Sequence, residues 1–322
     1  MSGPGSLLTA GAAPKSPPGP LPPVVVHRRA AGGPGRMLLL HGLANSASVW
    51  DAFLAADRPD GSFPAADRPD GSFPAADRPD GCSPAADRPD GCSPAADRPD
   101  GGPEVWAADL PWRGDCVAHW SSRGDVVPYV ADALRAVPGG AGVVVGHSMG
   151  ANSLLEFLHR EVERGADPFT EYGIRALVLV SPFYRRSVED FTWQSVETAV
   201  QNFVRTMTEG VRVHAGGRVP DDLIEELGGR VRERVGAYGW IRFFETYLAT
   251  PWLRTERFPV PCLVIAGEHD SIALPEEGRL LAADLPQGRF HLLPGSGHFL
   301  MIEQAGDLAA VVDQFVSTLP AA

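Results

Sequence analysis

Hydrophobic and polar positions follow two rhythms along this chain. Short runs that are apolar throughout, MLLLH at 37–41, VVVGH at 143–147, RALVLVS at 175–181 and the middle of VPCLVIAGEHD at 260–270, predict strands buried on both faces. Residues 24–29, EVWAADL at 104–110 and RFHLLPG at 289–295 predict three more, and GGPG at 32–35 predicts a turn between the first two. Between these runs the apolar positions recur at helical spacing. SVWDAFLAA at 48–56, VVPYVADALRAV at 126–137, the segment from Met149 with Leu154, Leu155 and Leu158 on one stripe, and about 302–318 predict helices. Strand alternating with helix predicts an α/β fold around a parallel sheet.

Two segments break the rhythm. AADRPDGSFP at 55–64 recurs at 65–74, becomes AADRPDGCSP at 75–84 and 85–94, and ends as AADRPDG at 95–101. Each unit has a proline where a helix or ladder needs an N–H, and two aspartates against one arginine, so no face can be buried and an exposed insertion is expected. The second segment, 182–256, is rich in bulky aromatics on what read as three or four helices. A helical insert between two parts of one sheet predicts a cap over the carboxyl edge of the strands, where ligands bind in open α/β folds.

The expected organisation is therefore an N-terminal tail over 1–22, a first core part over 23–182 that contains the decapeptide insertion at 55–101, a helical cap over 183–256 and a second core part over 257–322. With 44% hydrophobic residues the chain can fill such a core. The net charge of −12 argues against nucleic acid or an anionic membrane as the main partner. No apolar run is long enough to span a bilayer and the opening thirty residues lack a signal-peptide core, so a soluble cytoplasmic protein is expected. The four cysteines, Cys82, Cys92, Cys116 and Cys262, have neither metal spacing nor a disulfide-scaffold pattern. The reading calls for no cofactor and no metal.

The chemistry centres on VVVGHSMGAN, 143–152, in which a buried strand ends on a serine between two glycines. G-x-S-x-G after a strand and before a helix is a nucleophile elbow, its glycines allowing the turn to close without side-chain clashes. A serine hydroxyl needs a base to take its proton and a carboxylate to fix the base's tautomer. Asp270 and His298 follow later strands in the order Ser, Asp, His, so Ser148, Asp270 and His298 are the expected catalytic set, with Glu268 as the alternative acid. An acyl transfer also needs donors for the oxyanion, and the backbone N–H groups of Leu43 and Met149 are placed to supply them. His41 reads as a loop-ordering residue and His147 as packed beneath the elbow.

These residues make the chain resemble the capped serine hydrolases of the α/β-hydrolase fold superfamily, esterase- and thioesterase-like. The resemblance rests on LLLHG at 38–42, AADLPWRG at 107–114, VVVGHSMG at 143–150, VIAGEHD at 264–270 and GSGHF at 295–299, in that order. It implies a mostly parallel sheet flanked by helices, with a helical cap after the sixth strand. The repeat departs from the family's short loop at that place. So does DLPWRGDC, where the family more often has Asp-x-x-Gly-x-Gly-x-Ser; it puts Trp112 and Arg113 near the mouth of the pocket. Arg113 suits a substrate carboxylate or phosphate, or an ion pair with a neighbour such as Asp115. Phe183, Trp193, Trp240 and Phe299 complete the expected pocket.

The implied activity is hydrolysis of a carboxylic ester, thioester or lactone with an apolar acyl group through an acyl-enzyme. The expected partner is the small-molecule substrate, with an acyl carrier in the thioester case. Two alternatives stay open: an acyltransferase or cyclase-type thioesterase of a natural-product pathway, and a noncatalytic ligand-binding protein on the same fold.

Overall fold

The computed structural model describes residues 23–56, 96–97, 102–114, 116–120 and 124–320. The tail at 1–22 and most of the decapeptide tract therefore lie outside the described residues, as do Cys82 and Cys92. In chain order the elements are β1 Val25–Ala31, β2 Gly33–Leu40, α1 Asp51–Ala56, β3 Ala96–Asp97, β4 Pro103–Asp109, α2 Val117–Trp120, α3 Val127–Ala136, β5 Val143–His147, α4 Met149–Glu163, α5 Pro168–Tyr172 and β6 Ala176–Val180. There follow α6 Trp193–Ala215, α7 Asp221–Leu248, β7 Cys262–Gly267, α8 Pro275–Asp284, β8 Gly288–Leu293, α9 Leu300–Glu303 and α10 Ala305–Ser317.

The strands form one sheet in the order β3-β1-β4-β2-β5-β6-β7-β8. Every pairing is parallel except β1 with β4. The fold is thus the expected α/β one, with the helical insert after β6. Successive residues of a strand face opposite ways, and the core divides accordingly. Leu38, Leu40, Val144, Leu177 and Leu179 pack on one side of the sheet with α3, α4 and α8. Met37, Leu39, Val143, Val145 and Val178 pack on the other with α1 and α10. β5, β6 and β7 are buried at every residue, which explains their unbroken apolar runs.

Several boundaries differ from those expected. The GGPG stretch opens β2 rather than a turn. Gly32 lies so close to the Gly102–Pro103 backbone that a Cβ there would collide with the Gly102 carbonyl oxygen, and Gly33 donates its N–H to that oxygen at 2.7 Å. The helix expected over 48–56 is a 3-10 turn, Ala47–Trp50, that continues as α1. The terminal helix is broken at Gln304 (φ −135°) between α9 and α10. The insert is built from α6 and from α7, which is interrupted at Gly236 (φ 65°, ψ 173°), giving three helical segments. Cys262 is free and buried, and burial pushes its thiol pKa up to about 12. Cys116 is disulfide-bonded, although the cysteine spacing shows no disulfide-scaffold pattern. Among the described residues no helix is long and apolar enough to cross a membrane.

Candidate active site

β5 delivers the chain to Ser148 at the carboxyl edge of the sheet, and α4 begins at the next residue. Ser148 takes φ 52° and ψ −122°, a conformation a non-glycine residue adopts only when its surroundings enforce it. Its own N–H is held by the Val180 carbonyl at 2.9 Å. The flanking glycines act through space, not through φ. A Cβ at Gly146 would lie 2.7 Å from the Ala151 Cα, and one at Gly150 would lie 2.6 Å from the carbonyl oxygens of both Leu40 and His41. The turn can be this tight only because both side chains are absent.

The loop after β8 brings His298 over the turn. Its Nε2 lies 3.0 Å from Ser148 Oγ and its Nδ1 lies 2.8 Å from Asp270 Oδ2, all three residues being buried. Asp270 Oδ1 accepts from the Ile272 and Ala273 amides, both at 2.9 Å, which leaves Oδ2 to face the imidazole. The carboxylate therefore fixes a proton on Nδ1 and leaves the Nε2 lone pair toward the hydroxyl. Glu268 does not compete for this place. Its half-exposed carboxylate accepts from the Gly295 amide at 3.0 Å instead.

Leu43 and Met149 stand on either side of Ser148, one after β2 and the other at the first turn of α4. Neither backbone N–H has a protein acceptor among the described residues. The first amides of a helix are free by construction and carry its positive dipole end. The loop that carries Leu43 is tied down by His41. The Leu110 amide donates to His41 Nε2 at 2.9 Å, so the ring proton is on Nδ1, which donates to the Gly42 carbonyl at 2.8 Å.

His147 is fully buried next to this loop, and burial, with His298 close by, holds its pKa well below the ordinary histidine value. As a neutral ring it donates from Nε2 to the His298 carbonyl at 3.0 Å, while its Nδ1 has no partner among the described residues. Two other supports carried no sequence signal. Glu303 on α9 accepts from the amides on either side of His298, Gly297 at 2.6 Å and Phe299 at 2.8 Å. Asn152 on α4 exchanges two bonds with the Phe183 backbone, at 2.9 and 3.0 Å, and so seats the Phe183 ring 6.0 Å from the His298 ring.

A cavity of about 350 Å3 opens from Ser148 between the sheet edge and the helical insert. Of the residues expected in it, Phe183 and Phe299 line it with Leu43, Ser148 and His298. Four others are placed elsewhere. Trp112 is wholly buried in the core, where its Nε1 donates to the His41 carbonyl at 3.1 Å, because a ring of that size next to β4 gains more from burial than from solvent. Arg113, in the turn after β4, pairs with Asp109 at the end of that strand at 3.5 Å; Asp115 lies outside the described residues. Trp193, at the first turn of α6, is 84% exposed. Trp240 stacks on Phe244 with centroids 4.8 Å apart and stands behind the cavity wall.

One buried network escaped the sequence reading altogether. Glu277 on α8 accepts from the Tyr184 amide at 3.0 Å and from the Tyr247 hydroxyl at 2.7 Å, and it pairs with Arg185 at 3.1 Å. It joins the core to the end of α7. Burial raises its pKa, against the pull of these partners.

The profile of the alpha/beta hydrolase family matches residues 37–311. The chain belongs to that family. Solved structures agree on the fold of this hydrolase at low identity. One similar structure is the hydrolase olei00960 from Oleispira antarctica, at 16% identity and TM-score 0.53, covering 92% of this chain and 94% of that one. Another is the esterase RhEst1 from Rhodococcus sp. ECU1013, at 17% identity and TM-score 0.51, covering 92% and 95%. A third is Est816, described as an N-acyl homoserine lactone degrading enzyme, at 13% identity and TM-score 0.53, covering 91% and 96%. No match was found among curated proteins.

Proposed function

We propose that this hydrolase is a serine esterase-type enzyme that cleaves a carboxylic ester, thioester or lactone through an acyl-enzyme, with Ser148, His298 and Asp270 as its catalytic triad. The observation that carries the reading is the pair of hydrogen bonds at His298, 3.0 Å to Ser148 Oγ and 2.8 Å to Asp270 Oδ2.

In this reading Ser148 Oγ attacks the substrate carbonyl while His298 Nε2 takes the hydroxyl proton. The oxyanion that forms is met by the Leu43 and Met149 amides. Collapse expels the leaving group, which takes the proton from Nε2, and leaves the acyl group on Oγ. A water molecule then gives its proton to Nε2 and attacks the acyl carbonyl, releasing the acid and restoring the hydroxyl. Asp270 stabilises the imidazolium formed in each half and does not itself accept the proton. The α6–α7 insert serves as the cap, and the apolar part of the acyl group lies against Phe183 and the α7 aromatics.

A fluorophosphonate probe and a p-nitrophenyl ester test this. The wild-type protein is expected to be labelled at Ser148 and to release nitrophenolate, and Ser148→Ala to do neither. A folded wild-type protein that is not labelled would overturn the assignment.

A further inference from the structure

The two long walls of the cavity differ in chemistry. One is aromatic, formed by Phe183 and Phe191 with Phe243, Phe244 and Tyr247 of α7. The other, on α6, is mixed: Ala199, Phe203 and Met207 line it together with Ser195, Thr198, Asn202 and Thr206, polar residues at helical spacing that the aromatic wall does not match.

The hydroxyl protons of that face are already committed. Ser195 Oγ donates to the Thr192 carbonyl at 2.7 Å, Thr198 Oγ1 to the Gln194 carbonyl at 2.9 Å and Thr206 Oγ1 to the Asn202 carbonyl at 2.8 Å. Asn202 Nδ2 donates to the Ser271 carbonyl at 3.1 Å, and its Oδ1 receives nothing from the described residues. What the three hydroxyls and Asn202 Oδ1 have left to offer is lone pairs, and a single N–H of Asn202 is the one proton this face keeps. A wall of acceptors is matched by a ligand with donors, because an acceptor facing an apolar chain is desolvated with no return.

The sign of charge narrows the donor further. Arg205, an exposed residue on the flank of the same face, lines the cavity, and among the described residues no carboxylate lies within ion-pair distance of it. Arg185 lines it as well, its charge balanced by Glu277. An ammonium group would meet the unbalanced Arg205 charge, whereas an amide N–H or a hydroxyl would not.

Building on the acyl-enzyme reading above, we propose that the preferred acyl group is amphipathic. It has an apolar edge for the aromatic wall and neutral hydrogen-bond donors, a secondary amide N–H or a hydroxyl, for the acceptors of α6.

The test compares p-nitrophenyl esters of one length: acetamidobutanoate, the ketone in which CH2 replaces its N–H, and a plain alkanoate. Wild-type protein is expected to favour the amide over the ketone by roughly tenfold in kcat/KM, one hydrogen bond's worth. The preference should fall in Thr206→Val and vanish in the Thr198→Val/Asn202→Leu/Thr206→Val variant. Equal kcat/KM for amide and ketone in the wild type overturns the proposal and leaves the hydrolase reading standing. A preference that persists undiminished in both variants also overturns it, because the acceptors are then not those of α6. If none of the three esters is cleaved and Ser148 is not labelled by a fluorophosphonate, the hydrolase reading itself fails, and this proposal with it.

Discussion

Asp270 presents a single oxygen to His298, because its other oxygen already accepts the amides of Ile272 and Ala273. In Asp270→Asn the amide oxygen would keep those two donors and the NH2 group would point at Nδ1. The imidazole would then carry its proton on Nε2, where it cannot accept from Ser148. We expect kcat to fall roughly ten-thousand-fold, as in other enzymes that lose this carboxylate, with the melting temperature little changed. Steady-state kinetics beside a thermal melt check both parts.

Gly150→Ala is expected to lose both stability and activity. The new Cβ would press on two backbone oxygens at 2.6 Å, and α4 could relieve this only by moving the serine off β5. Overpacking of this kind costs about 1–3 kcal/mol or more. Gly306→Ala is the control, for it has nothing within 4 Å and lies in α10; it should leave kcat unchanged and raise stability by about 0.5–1 kcal/mol. Denaturant midpoints for the two variants should move in opposite directions.

Asp109 supplies an acid-side dependence of stability. Burial alone would raise its pKa, but bonds from His27 and from the Ala47 amide hold it well below the usual carboxylate range. A depressed folded pKa means that the stabilisation is complete above the unfolded value of about 3.9 and is lost as pH falls through the folded one. Asp109→Asn should therefore be less stable than wild type at neutral pH by about 1–3 kcal/mol, and the gap should close only below about pH 4. Urea titrations at neutral and acid pH measure it.

Phe243→Ala and Trp193→Ala separate the cavity wall from the outer surface of the insert. Phe243 lines the cavity with its ring 4.9 Å from that of Phe183, whereas Trp193 faces solvent. The first should lower kcat/KM for a long-chain ester roughly tenfold or more, the value of a lost apolar contact, and the second should leave it unchanged. Equal effects in a chain-length series would reverse this assignment of walls.

Replacing residues 57–95 with a flexible linker from Ala56 to Ala96, with Cys116→Ser added because the replacement removes Cys82 and Cys92, should leave kcat/KM on a small ester unchanged. Ala96 pairs with Ala30 on the outermost edge of the sheet, and β1, β4 and β2 all stand between that edge and β5. A large loss of rate in a folded variant would place the tract at the site.

What was legible in the sequence was a set of side chains that the fold gathers at the strand ends. Ser148 follows β5 directly, and Asp270 and His298 lie in the short loops that leave β7 and β8, so recognising the strands narrowed the search to their carboxyl ends. The pocket walls were not legible for a geometric reason: an aromatic on an insert helix says nothing about how that helix is rotated. Trp193 and Phe243 look alike in sequence, and only packing sends one outward and the other in. Glu277 and Asn152 were missed because each acts on backbone groups distant in sequence, and Glu303, whose partners lie only four and six residues back, because an isolated acid at a helix end reads as surface. The turn expected at GGPG failed because the glycines serve a close approach to 102–103, which is a tertiary demand.

The break at Gly236 divides α7 into parts with different duties. Before it, the helix is clasped to α6, with Gly228 against Thr208 and Glu225 paired to Arg212. After it come Phe243, Phe244 and Tyr247, which face the cavity. The two stretches can thus diverge independently over evolutionary time. Homologues that differ before residue 236 should keep the same substrate range, and those that differ after it should have acquired new ones.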